Sequence, residues 1–153
     1  MDFAPHTDSG VSPSIQWSVY AALYMFIWGT AIAFLLSDLL TLLADVIGLP
    51  AGYAMAILAS PVLVIGTLVW WILVERRGSY TYLLGATFGL VTALLTGLLW
   101  TARFVDIWGS EVLTADVIPF LVVFVLGVTT VTGVLTGIPL MYARRRLDGK
   151  HQK

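Results

Sequence analysis

Four long apolar stretches, parted by short polar breaks, fill almost the whole chain: about Trp17–Val46, Ala51–Val74, Tyr80–Ala102 and Val117–Tyr142. Each approaches or exceeds the roughly 20 residues that a helix needs to cross a hydrocarbon core about 30 Å thick. The pattern predicts an all-α integral membrane protein. Its transmembrane domain (residues 17–143) is a bundle of four membrane-spanning helices, between an N-terminal tail (1–16) and a basic tail (144–153).

Glycine and proline punctuate the spans. The first is predicted to run from Pro13–Ser14 to the stop at Gly48-Leu49-Pro50. That is about 50 Å of helix, so it should tilt strongly or stand partly outside the membrane. Thr7–Ser14, with Gly10 and Pro13, reads as a flexible tail, and Pro50 suits the start of the second span. Pro61 falls in the middle of that span, where it frees the carbonyl of Ile57 and predicts a kink.

Charge orients these helices. Arg76 and Arg77 follow the second span, and Arg144, Arg145 and Arg146 follow the fourth, with Lys150 and Lys153 beyond. The first connection carries Asp45, and the third carries Asp106, Glu111 and Asp116 with Arg103 as its cation. Positive residues stay cytoplasmic, which places the second connection and the C-terminus inside, and an even number of spans brings the N-terminus there too. Trp17, Tyr20, Trp70, Trp71, Tyr80, Tyr82 and Tyr142 then fall at the inner interface, and Tyr53, Trp100, Phe104 and Trp108 at the outer one. Such belts form because an amphipathic ring finds both apolar and polar neighbours at headgroup depth.

Spans three and four share a short match, Val91-Thr92-Ala93-Leu94-Leu95-Thr96-Gly97 with Val131-Thr132-Gly133-Val134-Leu135-Thr136-Gly137. Its physical content is a stripe of small residues on each helix: Gly85, Gly89, Thr92 and Thr96 on one, Thr130, Gly133 and Gly137 on the other. Small residues four apart let backbones approach closely, and hydroxyls can bond across helices. Packing of span three on span four is the expectation; a homodimer face or a hydroxyl-lined path are the alternatives.

Composition narrows the chemistry. Hydrophobic residues make up 59% and charged residues 11%, against about 25% charged in an average soluble domain. A net charge of -1 gives no reason to expect nucleic acid as a partner. Cysteine is absent, which removes thiolate catalysis and Cys-ligated metal sites. The histidines, His6 and His151, lie in the tails, so no cofactor or metal is expected. The first sixteen residues hold no Lys or Arg, and the first span reads as a retained anchor, not a cleaved signal.

An ionisable side chain deep in the bilayer is costly and often marks a transport path. Asp38, in the outer half of the first span, is the one such position in this reading, with Asp45 seven residues on along the same face. It pairs with Arg103, lines a vestibule that binds a cation or proton, or is solvated. Asp116 is expected to cap the fourth span, with Pro119 in its first turn. Arg144, Arg145 and Arg146 are expected to contact inner-leaflet phosphates, at about 1 kcal/mol per cation. No nucleophile lies beside a base, so catalysis is not expected. The function expected is that of a small multi-pass protein of the cell membrane, with a structural or accessory role among other membrane subunits or in a homo-oligomer. The alternative is a small oligomeric transporter or channel in which Asp38 responds to protons or cations.

Overall fold

The computed structural model describes residues 12–46, 53–114 and 118–148, and all regular structure among them is helical. Four helical segments, Pro13–Leu35, Ala54–Glu75, Tyr82–Trp108 and Val122–Leu147, are long and apolar enough to cross a membrane. The chain is a multi-pass membrane protein.

Helix α1 (Pro13–Leu35) begins earlier than the apolar run and ends sooner than predicted. Pro13 takes the first helical position, where its fixed φ suits the helix and its missing N–H costs nothing. At the far end Leu36 leaves the helical region (φ −99°, ψ 19°), and α2 (Ser37–Val46) starts as a separate helix. One helix through Val46 is therefore replaced by two. Twenty-three residues already give about 35 Å, enough for the bilayer. Ser37 and Asp38 follow, and both favour a helix start over a helix interior, the aspartate also complementing the N-terminal dipole.

The second span is α3 (Ala54–Ala59), α4 (Pro61–Trp70) and a closing π-turn over Trp71–Glu75. The helix is interrupted at Ser60–Pro61, with Ser60 still in the helical region (φ −57°, ψ −34°). The Ile57 carbonyl that Pro61 leaves open accepts both the Ser60 N–H (3.1 Å) and the Ser60 hydroxyl (2.8 Å). One residue on, the Leu58 carbonyl accepts the Trp100 indole N–H at 2.8 Å. Trp100 is half-buried and ties the third span to this interruption.

Helix α5 (Tyr82–Trp108) starts at Thr81, whose hydroxyl accepts the Leu84 N–H, and ends at Gly109, where φ is +79°. Helix α6 (Ile118–Asp148) runs through Pro139 and past Arg144, Arg145 and Arg146, so this stretch of the expected tail is helical.

The closest helix pair is α5 with α6. A Cβ built on Gly85 would stand 2.6 Å from the Gly137 carbonyl oxygen, and one on Gly133 2.5 Å from that of Gly89. On Gly89 or Gly137 it would overlap the facing carbonyl outright. Glycine is required here because backbone meets backbone. Gly66 of α4 similarly admits Ala22 of α1 and the methyl of Thr92. Around these contacts lies a core of Ala21, Met25, Val69, Trp70, Val74, Phe88 and Met141. Large apolar side chains such as Ile27, Phe34, Val64, Leu83, Phe120 and Leu135 are exposed on the outside. Lipid, not water, is the solvent that such a surface suits.

Candidate functional site

The most concentrated chemistry lies at one end of the bundle, where the second span closes and the fourth approaches its own end. The π-turn adds one residue to the last turn, so the Arg76 N–H bonds to the Trp71 carbonyl. This turn ends at Glu75, whose side chain is only 4% exposed. Arg144 of α6 meets it with two contacts, Nε to Oε1 at 3.2 Å and Nη2 to Oε2 at 3.3 Å. Trp70 donates its indole N–H to Oε1 at 3.1 Å, and Arg144 Nη2 donates to the Tyr80 hydroxyl at 2.9 Å. The guanidinium carbon also lies 5.0 Å from the centre of the Trp17 ring and 4.5 Å from that of Tyr80. These faces attract a cation most strongly where water is scarce.

The network joins the start of α1, the end of the second span, the connection to α5 and the last turns of α6. Forked guanidinium–carboxylate contacts suit a buried position because both oxygens and several donors are used. Trp70 is fully buried and packs edge-on against Phe88, with ring centres 4.9 Å apart. It is a core residue, not the interface residue expected. The chain matches no family model, no curated protein and no solved structure. Only its own geometry speaks for a function.

The residues singled out in the sequence fall as follows. Asp38 is exposed in the first turn of α2, and Asp45 is exposed further along the same helix. Of the three readings of Asp38, the pair with Arg103 does not form: Arg103 Nη1 meets Asp106 Oδ2 at 2.6 Å, one turn on along α5. A partner on its own exposed helix face requires no bridging between helices, and both side chains stay more than half exposed. Glu111 is exposed in a short 3-10 turn, whereas Asp116, His6, His151, Lys150 and Lys153 lie outside the described residues.

Gly85, Gly89, Gly133 and Gly137 form the α5–α6 contact, and Thr96 donates to the Thr92 carbonyl on its own helix. The hydroxyls of Thr92 and Thr130 are buried and have no hydrogen-bond partner. Arg145 and Arg146 are exposed, with Arg145 over the Tyr82 ring at 5.0 Å. Arg144, expected beside them on lipid phosphate, is drawn instead onto Glu75, its side chain 11% exposed.

Glu75 itself escaped the sequence reading. A local signal existed, a lone acid between an apolar span and Arg76-Arg77. Nothing local named its partner 69 residues away.

The half of the bundle away from this network holds a cavity of about 200 Å³, partly open to the outside and lined by all four spans. Leu36 and Leu40 line it. Asp38, two residues before Leu40 on α2, is exposed.

Proposed function

We propose that the protein is a structural or accessory component of a membrane assembly, placed in the cell membrane with both termini on the cytoplasmic face and without catalysis of its own. The observation that carries this reading is the aromatic-buttressed pair of Glu75 and Arg144. It fastens three of the four spans at one end and neutralises its own charge. Such a device makes a rigid bundle with lipid-facing sides against which other membrane subunits, or a second copy, can pack. The pair also brings Arg76–Arg77 and Arg144–Arg146 to the same end, which supports placing that end in the cytoplasm.

Isolation from native membranes in a mild detergent should recover a second membrane protein in fixed ratio, and the purified protein in vesicles should carry no ion or proton flux. Reporter tags beside Gly78 and after Lys153 should appear on the same, cytoplasmic, side.

The cavity favours a second reading, a small transporter whose solute chamber lies beyond the ion pair. On that reading the vesicles show flux, and Glu75→Gln, which unfastens the closed end, changes its rate. Recovery of the protein alone together with such flux would replace the first reading by the second.

A further inference from the structure

We propose that the outward face of the second span binds one anionic phospholipid, with an acyl chain along Val64, Leu68 and Ile72 and the headgroup phosphate on Arg76. The apolar part of the site is a line of exposed side chains, Val64, Leu68 and Ile72, with Trp71 beside the last. Four-residue steps keep them on one face of the helix, where a lipid chain lies alongside. The line ends where the membrane-spanning segment Ala54–Glu75 does, at headgroup depth.

The π-turn supplies the polar end. Its bond from the Arg76 N–H to the Trp71 carbonyl, at 2.9 Å, sets Arg76 one full turn beyond Trp71. In a continuous α-helix that place belongs to Glu75. With the extra residue, Glu75 faces Arg144, and Arg76 lies over an exposed indole, its guanidinium carbon 5.4 Å from the ring centre. The ring supports one face of the guanidinium and leaves the N–H edge for a phosphate, which that planar fork grips with two bonds. Among the described residues no carboxylate meets Arg76, whereas Arg103 at the other end of the bundle is held by Asp106.

Charge selects the headgroup. Arg77, Arg145 and Arg146 are exposed at the same end, against Asp148 at the close of α6, and Glu75 is neutralised by Arg144. A zwitterionic headgroup brings its own ammonium into this positive field, and an anionic one does not. Each cation near an anionic lipid surface contributes about fivefold in affinity. Such a site operates whether the bundle serves an assembly or carries a solute.

The test uses the full chain in a non-ionic detergent and native mass spectrometry, with phosphatidylglycerol and phosphatidylcholine of identical acyl chains titrated separately. One phosphatidylglycerol should be retained, with an apparent Kd at least about fivefold below that of phosphatidylcholine. Arg76→Gln should raise the phosphatidylglycerol Kd about fivefold, the contribution of one cation, and affect phosphatidylcholine less. Trp71→Leu should weaken the same lipid, because the guanidinium loses its support. Arg77→Gln removes an equal charge from a neighbour that lies over no ring among the described residues, so its effect should be smaller. Trp71, Arg76 and Arg77 are all exposed, so these variants leave the core intact. Glycerol 3-phosphate, which offers the phosphate without the chains, should not displace the lipid. Equal Kd values for the two lipids, equal effects of Arg76→Gln and Arg77→Gln, an unchanged Kd in Trp71→Leu, or displacement by glycerol 3-phosphate would each overturn the proposal.

Discussion

Glu75 and Arg144 lie 69 residues apart in the chain, yet Arg144 Nε stands 3.2 Å from Glu75 Oε1 in a pocket of tryptophan and tyrosine. Desolvating both charges is costly, and their attraction offsets that cost only while both are present. Removing one partner leaves an unpaired buried charge. Glu75→Leu or Arg144→Met should each destabilise the folded protein by about 3–5 kcal/mol. The double variant Glu75→Leu/Arg144→Met should recover much of that loss, because no charge is stranded. Unfolding in detergent, followed by circular dichroism, checks the cycle; losses that simply add would refute coupling between the two side chains.

The α5–α6 contact predicts an asymmetry among glycines. Gly89→Ala places a methyl group in the Gly133 carbonyl and should cost about 1–3 kcal/mol. Gly127, on the same helix as Gly133, has nothing within 4 Å of an added Cβ. Gly127→Ala should leave stability unchanged or raise it by up to about 1 kcal/mol, through helix propensity. Thermal melts of the two variants side by side are sufficient, and equal destabilisation would contradict the close approach.

The interruption at Ser60–Pro61 is secured from two sides. Trp100→Phe keeps the ring but removes the donor to the Leu58 carbonyl. The expected loss is about 0.5–1.5 kcal/mol, the range for hydrogen bonds between membrane helices. Ser60→Ala removes the hydroxyl on Ile57, but the Ser60 N–H still bonds to that carbonyl, so its effect should be smaller. A larger loss in Ser60→Ala than in Trp100→Phe would reverse that ranking.

Asp38 and Asp45 should behave alike. Both are exposed on α2, so Asp38→Asn and Asp45→Asn should each shift stability by less than about 0.5 kcal/mol. Arg103→Gln removes an exposed pair within one helix and should cost no more than about 0.5 kcal/mol. A melting temperature that falls in Asp38→Asn alone would restore a buried role for that carboxylate.

The sequence by itself determined that the chain forms four helices solvated by lipid, since span length and apolarity are local properties that any neighbouring structure must respect. It also determined where α5 and α6 can approach, because only glycine permits backbone against backbone, and which carbonyl Pro61 must leave open. Tertiary structure decided the rest. That Arg144 turns inward to Glu75 while Arg145 and Arg146 face out depends on the depth and rotation of helices far apart in the chain. The cavity and the unpaired Thr92 hydroxyl exist only where four helices meet, and no single helix carries that information.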